Sequence, residues 1–179
     1  MRPNQIFSPR HLAIIGASLI SMFLMSSATL KAQTPINFSG KWEYDKAKSS
    51  PGTDNAKYNG TVVRQITQTA STIACRDIYI QKGINDWSTS DDVYNLDGKE
   101  EIDKSDPNDI ITKSVIWSQD QKSLTLSYKS TYIEQGVSKE SLISGTYKLS
   151  DDGKTLTIEE YSKDAIRGEI KTTSVYHKK

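Results

Sequence analysis

From Gly40 onward, this chain is written in short runs of alternating apolar and polar residues, cut by turn residues about every ten positions. Side chains of a strand point alternately to its two faces, so such a run can cover a core with one face and meet water with the other. Nine segments read this way: 40–44, 61–69, 72–80, 88–96, 110–117, 123–131, 138–149, 154–161 and 168–177. In 61–69, Val62, Arg64 and Ile66 oppose Val63, Gln65 and Thr67. In 110–117, Ile111, Val115 and Trp117 share a face with Lys113, and in 123–131 Leu124, Leu126 and Tyr128 share one. Asn59-Gly60 and Asp97-Gly98 are turn signals. Residues 46–58 read as a polar connection, with 45–48 able to form one helical turn; 99–109 reads as a charged loop, and Gly145 as a break in its strand.

Thr, Val, Ile and Tyr enrichment and closely spaced turns predict an all-β fold: an antiparallel up-and-down meander of about eight to ten strands. Closing the meander into a barrel removes its exposed edges. A two-sheet sandwich is the other solution, but the connections are short for Greek-key crossovers. Segments 117–126 (WSQDQKSLTL) and 149–158 (LSDDGKTLTI) echo one another, as two hairpins using the same turn chemistry.

The first 32 residues are of another kind. Arg2 and Arg10 precede an uncharged apolar run, 12–25, and Ala28 and Ala32 each offer a small residue for cleavage. A run this short suits a removable export signal better than a span, which needs about 20 apolar residues. The expected organisation is a signal over 1–32 and one domain over 33–179, periplasmic or secreted. No cysteine follows the signal closely enough to carry a lipid, so no stable membrane insertion is expected after cleavage.

The signal holds three of the 23 basic residues and none of the 22 acidic ones, so the 147-residue domain has 20 basic and 22 acidic residues, a net charge of −2. That balance argues against a nucleic-acid partner, which requires a basic face. Cys75 is the only cysteine, so the domain has no disulfide and depends on its core. Within a strand pattern, Cys75 reads as a buried, inert thiol.

Chemistry-bearing motifs are few. Beyond the signal, His177 is the only histidine, the third residue from the end. It offers neither a Ser-His-Asp nor a Cys-His arrangement, and no zinc set or phosphate loop is present. Asp91-Asp92, Glu100-Glu101, Asp151-Asp152 and Glu159-Glu160 are paired carboxylates, but strand neighbours face opposite ways. Asp103, Asp106, Asn108 and Asp109 gather oxygens in one segment, without EF-hand spacing and beside Lys104. No catalytic residue, metal site or cofactor is expected. Arg64, Lys113 and Glu160 share strand faces with apolar neighbours, and a polar group there must be paired or reach a wet cavity. With the strand aromatics they give a candidate barrel lining: Arg64, Tyr79, Lys113, Trp117, Tyr128 and Tyr147.

The sharpest local motif is Phe38-Ser-Gly-Lys-Trp42, a Gly-x-Trp at the start of the first strand. Together with the meander, with the segments 96–100 (LDGKE) and 149–158, and with the final VYHKK, it resembles the lipocalin superfamily, in particular small bacterial lipocalin-like exported proteins. The resemblance implies a barrel in which Gly40 and Trp42 are structural. It also implies a basic residue of the last strand packed on the tryptophan; Lys171 and Lys178 are nearest, and Arg167 lies beside the preceding turn. It implies a non-enzymatic protein with a small molecule, hydrophobic ones included, in the barrel as its partner. The alternative is a barrel filled by its own side chains, whose outer face binds a protein.

Overall fold

The computed structural model describes residues 34–165 and 168–179; the expected signal over 1–32 and Arg167 lie outside them. The described chain is an antiparallel meander of eleven strands: β1 (Gly40–Tyr44), β2 (Thr61–Gln68), β3 (Thr72–Ile80), β4 (Trp87–Ser88), β5 (Asp92–Asn95), β6 (Glu101–Asp106), β7 (Asp109–Trp117), β8 (Ser123–Glu134), β9 (Val137–Leu149), β10 (Thr155–Asp164) and β11 (Gly168–Lys178). One four-residue helix, α1 (Asp54–Lys57), interrupts it. The ladder runs β4-β3-β2-β1-β11-β10-β9-β8-β7-β6, with β5 following β4 on the same edge of β3. Pairing of the first strand with the last wraps the sheet into a barrel-like form. One seam has no ladder, and side chains cross it: Lys113 Nζ donates to the Val93 carbonyl at 3.4 Å and lies 5.2 Å from the Tyr94 ring, and Asn95 Nδ2 donates to Glu101 Oε2 at 2.9 Å.

Four local expectations are corrected. Segment 99–109 is not a loop: it forms β6 and the start of β7, with a turn at Pro107-Asn108. Its high charge had a strand explanation. β6 is an edge with every residue exposed, and charges there discourage pairing with another sheet. The Asp103 and Asp106 carboxylates accept from the backbone amides of Ser105 and Asn108, both at 2.8 Å, as local turn caps. Segment 88–96 splits into β4 and β5, because Thr89 leaves the ladder to bond Asp77 through both its amide and its hydroxyl. The helical turn lies at 54–57 rather than 45–48; Thr53 caps it, its Oγ1 accepting from the Ala56 amide. β9 runs unbroken through Gly145, where an added Cβ would lie 3.3 Å from both Ile158 and the Tyr147 ring, so glycine there makes room for its neighbours.

Inside the wrapped sheet, Phe38, Trp42, Ile73, Leu124, Leu156 and Tyr176 are almost wholly excluded from water. Burying each such side chain is worth about 1.5–3 kcal/mol, and this cluster is the main source of stability in a chain without disulfides. The opening motif is built in. Trp42 Nε1 donates to the Phe38 carbonyl at 3.0 Å, and Lys178, opposite Trp42 across the β1–β11 ladder, holds its Nζ 5.4 Å from the indole ring. Lys178 is thus the basic residue on the tryptophan. Lys171 instead lies 6.0 Å from the Tyr161 ring. Gly40 has φ +150, a backbone state side chains disfavour, and an added Cβ would meet Trp42 Nε1 at 3.4 Å.

Candidate functional site

Strand alternation gives the inner face of the sheet a vertical order. Along β10 the inward residues are Leu156, Ile158, Glu160 and Ser162, and along β3 they are Ile73, Cys75, Asp77 and Tyr79. On β2, Ile66 is followed by Arg64; on β11, Tyr176 is followed by Ser174 and Thr172. On β3 and β10 the inner face changes from apolar to polar at about the height of Arg64, which itself stands between Ile66 and the buried Val62 on β2, and on β11 Ser174 and Thr172 precede Ile170. Above that height lies a cleft of about 330 Å³, bounded by α1 and by the inner faces of β2, β3, β10 and β11.

The floor of the cleft is an ion pair. Arg64 and Asp77 are directly opposed across the β2–β3 hairpin, and the guanidinium donates in parallel from Nε to Oδ1 at 2.8 Å and from Nη2 to Oδ2 at 2.7 Å. Their side chains are only 18% and 11% exposed, so the pair is largely desolvated. Arg64 Nη1 also reaches the Tyr147 hydroxyl at 3.4 Å, and its guanidinium lies 5.4 Å from the Tyr176 ring. Burial opposes a charge on Arg64, but Tyr176 and Asp77 facing it more than offset this and hold its pKa well above the ordinary value. A bidentate arginine–carboxylate pair fixes orientation as well as charge.

Asn55, on α1, ties the roof to the floor. Its Nδ2 donates to the Tyr176 hydroxyl at 3.1 Å, and its Oδ1 accepts from the Tyr79 hydroxyl at 3.0 Å. Tyr79 is stacked on the half-exposed Trp87, ring centres 4.1 Å apart and planes 8° from parallel, and Tyr58 meets it edge-on at 5.1 Å. Burial pushes the Tyr176 hydroxyl up to about 12, so it remains protonated at physiological pH. Glu160 stands on the β10 wall. It is open to the solvent in the cleft, yet the protein flanking it removes enough water to raise its carboxyl above the usual value.

A second cavity of about 160 Å³ lies on the far side of the Arg64–Asp77 pair, beside Cys75, Tyr94 and Tyr147. Cys75 is 7% exposed, and burial raises its thiol to about 11, which leaves it protonated and unreactive. His177 points to the outer face, bonding Asp45 at 2.8 Å with Lys48 Nζ 3.3 Å from the same ring nitrogen. It therefore lines neither cavity.

All six candidate lining residues occupy inward-facing positions, but they do not form one site. Arg64 and Tyr79 line the larger cleft, and Tyr147 lies beneath Arg64, between core and floor. Lys113 and Tyr128 oppose each other on β7 and β8, with Lys113 committed to the seam. Trp117 belongs to the apolar end, 6.2 Å from the Phe38 ring. Sequence reasoning missed Asp77 and the whole α1 contribution. A signal for Asp77 was present: strands 61–69 and 72–80 joined at Ala70-Ser71 place it opposite Arg64. No comparable signal marked Asn55, whose role comes from a loop folding back over the sheet.

No protein-family model matches the sequence, and comparison with characterised proteins also finds no match. Among solved structures, the chain is similar to the zebrafish ileal bile acid-binding protein complexed with cholic acid: 16% identity and a TM-score of 0.47, covering 79% of this chain and 98% of that one.

Proposed function

We propose that this is an exported, non-enzymatic protein of lipocalin-like build that binds a small polar molecule in the cleft over the Arg64–Asp77 pair. The observation that carries the reading is a cleft of about 330 Å³ with a preorganised polar floor, in a domain whose other end is fully packed. That volume is in the range of small-molecule sites, which combine a pre-formed concavity with a few placed polar groups. The lining is richer in carboxylates, hydroxyls and an amide than an apolar ligand would favour, so a polar ligand replaces the apolar one the barrel resemblance implies. Export rests on the N-terminal signal pattern. A non-enzymatic role rests on the protonated, buried Cys75 and on His177 facing away from the cleft.

A thermal-shift screen of small metabolites spanning neutral, cationic and anionic classes tests the reading. At least one class raises the melting temperature of the wild type, and Ser162→Trp, which fills the cleft from its β10 wall, abolishes the shift. A uniform lack of stabilisation, or shifts unchanged by Ser162→Trp, would refute cleft binding and favour the filled barrel with an outer partner surface.

A further inference from the structure

The charged groups around the cleft do not all find partners. Asp77 neutralises Arg64 through two hydrogen bonds. On α1, Lys57 Nζ donates to Asp54 at 2.9 Å. The remaining charge is Glu160, which has no hydrogen bond or ion pair among the described residues. It is directly opposite Thr172 on β11, and Ser162 follows it two positions along the same face of β10. Neither the Thr172 nor the Ser162 hydroxyl has a hydrogen-bond partner among the described residues. Directly opposed residues of an antiparallel pair have Cβ atoms about 5 Å apart, and neighbours along the strand or on the diagonal of the same face about 7 Å, within the span of one bound ammonium and its hydrogen bonds. The β10–β11 wall therefore presents one carboxylate and two hydroxyl acceptors, side by side, with nothing of the protein to satisfy them.

We infer that this wall is the anchoring subsite for a primary ammonium, and that the ligand of the cleft is a small hydroxylated amine. An ammonium has three donors and no acceptor, matching one carboxylate and two hydroxyl oxygens. Its charge neutralises the one carboxylate the protein leaves unpaired. An anionic ligand would meet Glu160, Asp54 and Asp77 with both available cations, Arg64 and Lys57, already engaged. A neutral polyol would satisfy the hydroxyls but leave the carboxylate without a counter-charge. The raised carboxyl of Glu160 agrees with this: burial raises it by more than the nearby Arg64 charge lowers it, and a bound ammonium would oppose that rise.

This inference rests on the cleft being a binding site, and the experiment separates the two claims. Isothermal titration calorimetry compares glucosamine, glucose and glucuronate, which share a hexose frame and differ in charge, against the wild type and Glu160→Gln. Glucosamine binds the wild type at least tenfold more tightly than glucose, glucuronate binds weakest, and Glu160→Gln removes the preference for the amine while the variant melts no lower than the wild type. Glucose or glucuronate binding as well as glucosamine would overturn the ammonium subsite and leave the cleft a polar binding site. Undiminished glucosamine affinity in Glu160→Gln would overturn it too. If all three sugars fail, amino alcohols and diamines serve as the cationic arm; failure of every cationic probe while a neutral or anionic metabolite stabilises the protein refutes the ammonium subsite alone, and failure of every class refutes both claims.

Discussion

The two ends of the inner face use the same strands for opposite purposes. At one end, Ile66 on β2, Ile73 on β3 and Leu156 on β10 pack with Phe38, Trp42 and Leu124 and exclude water almost completely, and the Trp42 indole N–H is met by the Phe38 carbonyl. At the other end, β2, β3 and β10 place Arg64, Asp77, Glu160 and Ser162 around a cleft of about 330 Å³. A filled barrel would continue the apolar pattern along each strand. Here polar residues interrupt it at one height on β2, β3, β10 and β11, and a desolvated ion pair marks the boundary. The packed end stabilises the domain, whereas the polar end contributes little and is free to carry a site. A largely buried ion pair is a weak source of stability, because desolvation offsets most of its attraction.

This division can be broken by mutation. The largest effect is expected at the packed end: Trp42→Ala leaves a cavity among fully buried side chains and costs about 4 kcal/mol, measured by urea denaturation. Next comes Asp77→Ala, which leaves the Arg64 guanidinium unpaired and costs about 3 kcal/mol. The paired replacement Arg64→Met with Asp77→Leu should recover most of that loss while abolishing ligand binding; a double variant as unstable as Asp77→Ala would make the pair a structural support rather than a site element.

Cys75 reports on the packed boundary from the chemical side. A disulfide reagent at pH 8 should leave the native thiol unmodified for hours and label it at once in denaturant; rapid native labelling would mean that the interior opens near Arg64. The smallest effect is at Glu160. Its carboxyl is raised in the folded state, so the stability it contributes is present below its unfolded pKa and lost as pH rises through the folded value. Arg64, Lys57, Asp54 and Asp77 are the other charged groups around the cleft. Without ligand, Glu160→Gln should melt about 1 °C higher than wild type at pH 7, with the gap closing below about pH 4.

The fold was legible because alternation is a strong local signal. Segment 72–80 matches β3 at both ends, and the remaining long strands differ by a few residues. Segment 99–109 was not legible, because a fully exposed edge strand shows no apolar alternation and its charges imitate a loop. The site was half legible. Arg64 and Glu160 are conspicuous as polar residues on otherwise apolar faces. Thr53, Asn55 and Lys57 lie in a connection whose composition carries no sign of where it folds, and strand phase alone gives a residue's face but not its height, so Trp117 and Tyr128 could not be distinguished from cleft residues.

The most direct test of a packed end joined to a binding end is amide chemical-shift mapping of the labelled protein with the strongest stabiliser from the metabolite screen. The account predicts perturbations confined to α1 and to the cleft-facing stretches around Arg64, Asp77, Glu160 and Thr172, with Phe38, Leu124 and Leu156 unmoved. Perturbations centred on exposed outer-face residues such as Ile102 and Ile116, or none with any compound, would contradict it.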